Sequence, residues 1–314
     1  MVAVSIALCT HQGERFLAEQ LDSLLAQTLA DIEIVVGDDA STDATRAILA
    51  AYAARDGRIR VVLNDPGLGL RKNFEATIAA CRGARIAPCD QDDVWEPEKL
   101  AALSRLLDDT GAVLAYCDST LIDAAGRPMG SRAFDHVTAL DGDLPLAFAF
   151  ANCVSGHAML FERRLLDVAL PFPERPIYDW WLAAAATSIG TIARLDRPLV
   201  RYRQHADNLT DMSGRRAKGH DRSQAGRTSR ETEVMDRLDA FARLPGPTGA
   251  QYRALRDLWA ERATRLVHLP LAAFVATNYD RLFALKPANA LKRLGRIANM
   301  AVGVRLKRLF GARG

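Results

Sequence analysis

Cysteine is scarce in this chain, and its five cysteines form no CxxC pair. An odd number without metal-type spacing argues against a disulfide framework and against a zinc site. Cys9, Cys81, Cys89, Cys117 and Cys153 read instead as small buried hydrophobes in a reducing compartment. Long hydrophobic runs are missing as well. The longest candidate, around Leu144–Ala151, is far short of the roughly 20 residues a membrane span needs. The N-terminus shows no basic segment followed by an apolar core and a cleavage site, so no signal peptide is expected. These absences predict a cytoplasmic protein. No internal repeat is present. Aromatic residues make up only 7% and are not interleaved with the basic ones, which speaks against nucleic-acid binding.

What is present suits a soluble globular protein: 49% apolar and 25% charged residues over 314 positions, room for one large domain and an appendage. Charge is unevenly divided. Up to Gly214 there are 20 Lys+Arg against 30 Asp+Glu; from Arg215 onward there are 21 against 8. An acidic body joined to a basic tail points to two separate jobs.

Short β-branched runs alternate with helical periodicities through the first 118 residues. Strands are expected at Val2–Leu8, Ile32–Gly37, Ile59–Leu63, Arg85–Cys89 and Val113–Cys117, with helices between them. Ser41, Thr42 and Asp43 offer helix caps, and Pro97 suits a first turn. This rhythm predicts an α/β fold, an open and mostly parallel sheet with helices on both faces. After Asp118 the rhythm breaks. A strand is expected at 155–161, a helix at 179–188 and a last short strand at 199–202. The Arg-, Ser-, Gly- and Lys-rich stretch from Gly214 to Arg230 reads as a linker, followed by helical patterns to the end.

Ligands of open parallel sheets bind beyond the carboxyl ends of the strands. There the sequence places Thr10, Asp38–Asp39, Asn64–Asp65 and Asp90–Gln91–Asp92–Asp93. So many carboxylates at one edge repel one another unless neutralised, and their hard oxygen ligands suit Mg²⁺ or Mn²⁺. Asp90-x-Asp92 can face one side together, one acid on a nucleotide's ribose and one on a metal that neutralises a departing diphosphate.

SIALCTHQGERFLAEQLDSLLAQT, IVVGDDASTDAT, an NF-initiated apolar helix and CDQDDVWEPEKL, taken in order, resemble the family 2 glycosyltransferases of the GT-A fold. CDQDDVW, with YDWWLA and RYRQHADN, is similar to the rhamnosyltransferase-like branch. The likeness covers about residues 2–210. It implies a GT-A domain over 1–210, with a nucleotide-binding half to about 118 and an acceptor half to 210. A linker follows over 211–230, then a basic helical extension over 231–314. It also implies an inverting, metal-dependent transfer from a nucleotide diphosphate sugar, with dTDP-rhamnose as donor. The acceptor implied is a saccharide or lipid-linked intermediate of a bacterial surface polysaccharide.

Residue by residue, the resemblance places Thr10 beside the nucleotide and Asp39 on its base, with Asp38 as neighbour or partner. It puts Asn73, after the Gly-rich PGLGLRKN, near the sugar or diphosphate. Asp90 becomes the ribose contact with Gln91 beside it, and Asp92 the metal ligand. Asp179, at a helix start, becomes the base that takes the acceptor's proton, between Tyr178 and the stacking walls Trp180 and Trp181. The branch usually has His where Tyr178 stands, and Gly where Ala206 follows His205. Arg201, Arg203 and His205, after the last strand, can hold the diphosphate or close a loop over it, with His205 also able to act as a further metal ligand, and His157 sits where the acceptor region should be. Without a QxxRW motif or membrane spans, a processive synthase is not expected. Two rivals stay open: a sugar nucleotidyltransferase, which normally carries a Gly-rich basic loop after the first strand, and a degenerate GT-A binding module. The tail LKRLGRIANMAVGVRLKRLF has six Lys+Arg and no acid. As a helix it fits either an anionic membrane surface or the flank of the catalytic domain.

Overall fold

The structure is a computed structural model and describes residues 2–206, 208, 224–262 and 264–302. The first half alternates as expected: β1 (Val4–Thr10), α1 (Leu17–Leu25), β2 (Ile32–Asp39), α2 (Thr45–Arg55), β3 (Ile59–Asn64), α3 (Leu70–Ala80), β4 (Arg85–Cys89), β5 (Val94–Trp95) and α4 (Lys99–Thr110). There follow β6 (Leu114–Asp123), β7 (Pro128–Arg132), β8 (Met159–Glu162), α5 (Leu166–Ala169), α6 (Tyr178–Ile189) and β9 (Ile192–Gln204). The C-terminal part is helical: α7 (Gln224–Phe241), α8 (Gly246–Arg262), α9 (Leu269–Thr277), α10 (Tyr279–Leu282) and α11 (Ala290–Ala301).

Among the described residues the strands form one nine-stranded sheet in the order β3-β2-β1-β4-β8-β6-β9-β5, with β7 on β6. β3, β2, β1 and β4 are parallel, as is the β6–β9 pair. β6 does not continue the parallel run beside β4, because the antiparallel β8 lies between them. The last strand is also longer than its apolar core implied: β9 starts at Ile192 and runs beside β6 for most of its length.

The two-residue period of β1 explains the layering. Val4, Ile6 and Leu8 point to one face and pack with Leu17, Leu21 and Leu24 of α1 and Leu100, Leu103 and Leu107 of α4. Ala7 and Cys9 point to the other face. There the core runs from Phe74 and Ile78 of α3 through Trp181 of α6 to Phe241, Tyr252, Leu271 and Phe283. Helices α7 to α10 therefore share the sheet's own hydrophobic core. All five cysteines are buried and free. α7 begins at Gln224, inside the stretch expected to be linker; residues 209–223 and 303–314 lie outside the described residues. No described helix is long and apolar enough to cross a membrane.

Gly37 interrupts the apolar run of β2 for a steric reason. A β-carbon there falls 2.1 Å from Thr77 Oγ1 and 2.4 Å from Asn73 Oδ1, so only glycine lets α3 close on the strand.

Candidate active site

The carboxyl ends of β1, β2 and β4 open into a cavity of about 840 Å³, a size suited to a nucleotide-sized ligand. Thr10, Asp39, Asn73, Asp90, Gln91, Asp92, His157, Asp179 and Trp180 all line it. Gln91 ties two strand ends together. Its Oε1 accepts from Thr10 Oγ1 at 2.6 Å and His11 N at 2.9 Å, and its Nε2 donates to the His11 carbonyl. Beyond β2 the chain turns through Ala40, whose φ of 57° is a left-handed conformation that costs an L-residue energy. This turn leaves Asp39 at the cavity wall. Its carboxylate accepts from Leu68 N at 2.5 Å and Gly69 N at 2.9 Å, at the N-terminus of α3. Two amides of the Gly-rich segment, those of Leu68 and Gly69, are thus already engaged. Gly69 has a φ of 79°, the conformation that starts α3 at Leu70.

Acidic groups are concentrated after β4. Burial, then the neighbouring charges of Asp92 and Asp179, push the Asp90 carboxyl up to about 7. Asp92 Oδ2 lies 2.8 Å from His205 Nε2, so the two residues expected to share a metal meet in space. Asp93 sits deeper. One of its oxygens accepts from Arg203 N, while Oδ2 is buried without a hydrogen-bond partner and lies 3.8 Å from His157 Nδ1. Burial, then Lys99, push His157 down to about 3, which keeps it neutral; its Nε2 lies 3.1 Å from Ser119 Oγ. Lys99 is a buried cation beneath this cluster. Its Nζ donates to the His157 carbonyl at 2.5 Å and lies 3.0 Å from the centre of the Trp95 ring.

The opposite wall is the start of α6. Tyr178 stacks on Phe74 with ring centres 3.9 Å apart, which fixes the first turn. Asp179 follows and faces the cavity, where burial raises its carboxyl to about 6 against the pull of nearby backbone amides, Trp180 N foremost. Trp180 lines the cavity, and its Nε1 donates to the Phe148 carbonyl. Beneath it lies Arg237 of α7, a residue the sequence did not single out. The guanidinium carbon is 3.8 Å from the Trp180 ring centre, and Nη1 donates to the Ala149 carbonyl. The C-terminal helices therefore hold one wall of the cavity. Arg237→Met keeps most of the stem but loses the cation. The loss is expected to cost about 0.5–2 kcal/mol in denaturant unfolding.

Several expected site residues make other contacts. Asp38 is fully buried away from the cavity, paired with Arg46 Nε at 2.8 Å and capping Ser41 N. Arg203 is 2% exposed; it meets Glu19 at 2.6 Å and the Asp92 carbonyl at 2.8 Å, which leaves its charge turned from any diphosphate in the cavity. Trp181 packs in the core beside Phe241 and donates to the Ala169 carbonyl, so only Trp180 forms a wall. Asn73 touches the cavity, but its side chain donates to the Gly37 carbonyl and accepts from Asn64, joining β2, β3 and α3. Asn73→Ala is expected to cost about 1–3 kcal/mol in denaturant unfolding through the groups it orphans, more than it changes donor contact. Asp65, also expected at this edge, is exposed and near Arg46, and Arg201 pairs with Glu96.

The sequence profile of glycosyl transferase family 2 matches residues 5–168. The chain belongs to glycosyl transferase family 2. Among its relatives, an uncharacterized protein of Mycobacterium tuberculosis is 31% identical over 216 residues, 66% of this chain and 60% of that protein. The succinoglycan biosynthesis protein ExoO of Rhizobium meliloti is 30% identical over 60% of this chain and 56% of its own length. The chain thus spans about 60% of the length of the mycobacterial relative it matches. Two solved structures are similar in fold. TarS of S. aureus, in complex with UDP-GlcNAc, has a TM-score of 0.58 at 18% identity over 98% of this chain and 83% of that one. The mannosyltransferase PcManGT of Pyrobaculum calidifontis, with GDP-Man and Mn²⁺, has a TM-score of 0.53 at 20% identity over 98% and 87%. The mixed sheet with flanking helices is the GT-A fold.

The donor set of this family 2 member fits a divalent cation. Two ligand atoms at right angles on an ion about 2.1–2.2 Å from each stand about 3 Å apart, close to the Asp92–His205 spacing. The raised Asp90 carboxyl and the unpartnered Asp93 oxygen mark a cluster with more negative charge than its neighbours offset. Oxygen ligands with one imidazole suit Mn²⁺, and Mg²⁺ next.

Proposed function

We propose that this chain is an inverting glycosyltransferase that moves a sugar from a nucleoside diphosphate onto an acceptor hydroxyl. The observation that carries this reading is the convergence of Asp39, Asp90, Asp92 and Asp179 on one cavity from three separate places in the chain: the end of β2, the segment after β4 and the start of α6. Thr10, Asp39, Asp90 and Gln91 form the nucleotide side, and Asp92 with His205 the cation site. A divalent cation held there would supply charge to offset the leaving diphosphate. Asp179 faces the same space from α6. Its carboxylate takes the proton of the acceptor hydroxyl as that oxygen bonds the anomeric carbon and the bond from that carbon to the diphosphate breaks on the opposite side. Trp180 gives the acceptor sugar an apolar face to rest on.

The resemblance to the rhamnosyl branch favours dTDP-rhamnose as donor, whereas the structural neighbours carry UDP-GlcNAc and GDP-Man. The ExoO likeness supports an acceptor in surface polysaccharide synthesis, saccharide or lipid-linked. The test is slow donor hydrolysis: purified protein with Mn²⁺ and each of dTDP-rhamnose, UDP-GlcNAc and GDP-mannose, with released nucleoside diphosphate measured. Release from dTDP-rhamnose above the others supports the rhamnosyl reading. Preference for another donor replaces the sugar, and release from none, with no binding of any nucleoside diphosphate, overturns the activity.

A further inference from the structure

Helix α11 turns leucines to solvent, while Ile297 and Met300 pack toward the core. Leu291 and Leu294 are 79% and 65% exposed, and the 3.6-residue period puts exposed Gly295 and Ala298 on the same side. The opposite side carries Arg293 and Arg296. Arg293 pairs with Asp280 and stacks over the Tyr279 ring at 4.3 Å; Arg296 lies over the Phe283 ring at 5.1 Å and donates to the Tyr279 hydroxyl. The arginines are thus turned inward and the leucines outward. At the far end of the helix, His268 N donates to the Ala301 carbonyl at 2.7 Å and Val267 bridges Val302. These contacts bring the exposed Leu266, Val267 and Leu269 against the end of α11. Among the described residues, five of the nine exposed large apolar side chains fall on α11 or on the segment paired with its end.

Charge decides what covers the patch. From Arg215 onward the chain carries 21 Lys+Arg against 8 Asp+Glu. A second copy would set this excess against itself, which disfavours self-association. An anionic lipid surface accepts both features, with leucines entering the acyl boundary and cations at headgroup level. We propose that Leu291 and Leu294 of α11, with Leu266, Val267 and Leu269, seat this chain on an anionic bilayer surface.

The test is co-sedimentation of the full chain with vesicles of equimolar phosphatidylcholine and phosphatidylglycerol, and with vesicles of phosphatidylcholine alone. The wild type is expected to bind the anionic vesicles, more weakly as salt rises, and to stay in solution with the neutral ones. In the Leu291→Ser/Leu294→Ser double variant, partitioning is expected to fall by about tenfold or more, from the lost burial of two leucines. Both leucines are exposed, so the fold is spared, and thermal stabilisation by nucleoside diphosphates is expected to stay the same. That second readout separates failure here from failure of the cavity assignment. Absence of binding to anionic vesicles overturns the proposal, as does equal binding by the double variant. Concentration-dependent self-association that the double variant abolishes, without vesicle binding, also overturns it and assigns the patch to a second copy.

Discussion

Replacing Asp179 with Asn is expected to lower the transfer rate by about 10²- to 10⁴-fold while donor affinity stays within about threefold. Asn matches the carboxylate in shape and can still accept from the backbone amide of Trp180, so the start of α6 is preserved. What is lost is the proton acceptor. The wild-type pH profile should carry the same signature. Burial holds the Asp179 carboxyl at about 6, so the base form is complete only above that pH. Acceptor kcat/KM is expected to fall about tenfold per pH unit below 6 and to level off above it. Stability changes in the opposite sense. The carboxyl rises from its ordinary 3.8 to about 6 on folding, so the folded state binds the proton more tightly. Its favourable contribution is full below 3.8 and lost as pH rises through about 6; at pH 7 the buried charge costs stability. The Asn variant should therefore melt at an equal or higher temperature at pH 7. A variant that loses both activity and melting temperature would show that Asp179 holds the fold and not the proton.

The second large effect is expected at Asp92. Asp92→Asn should weaken Mn²⁺-dependent binding of a nucleoside diphosphate by about 10- to 100-fold, read as the difference between titrations with Mn²⁺ and with chelator. His205→Ala should lose part of the same difference, because its Nε2 shares the site at 2.8 Å. Binding in chelator should change little in either variant, since the nucleotide contacts assigned to Thr10, Asp39 and Gln91 do not pass through the cation. Asp179→Asn should keep the full Mn²⁺ response. If Asp92→Asn left the Mn²⁺ difference intact, the cation would have to sit elsewhere, with the Asp90, Asp93 and His157 cluster as the next place to look.

How far the sequence foretold this site varies by residue, for physical reasons. The strand ends were legible because the period-2 runs are short and end in polar residues, which put Thr10, Asp39 and Asp90 at one edge. The Asp92–His205 meeting, across 113 positions, was reached through the family resemblance and not through spacing. Asp38 and Asp39 are neighbours on a strand, so they must face opposite sides; which one faces the ligand depends on where Arg46 lies. Trp180 and Trp181 stand about 100° apart on a helix, and the sequence cannot say which direction is the core. Arg203 turns from the cavity because its partner Glu19 comes from a remote helix, and Asn73 lines the cavity while its amide is spent on the Gly37 carbonyl; neither partner can be read from local sequence. Arg237 left no signal, since a buried arginine under a tryptophan reads like any helical arginine. The antiparallel insertion of β8 between β4 and β6 was likewise invisible, because strand order is decided by the connection over residues 124–158 and not by the strand's own composition.

A crystal of the protein grown with Mn²⁺ and a nucleoside diphosphate, with data collected at the manganese absorption edge, is the most direct test. The account predicts one anomalous peak in coordination distance of Asp92, with the diphosphate beside it and the base near Asp39. A nucleotide bound outside the cavity, or a manganese peak with no contact to Asp92, contradicts it.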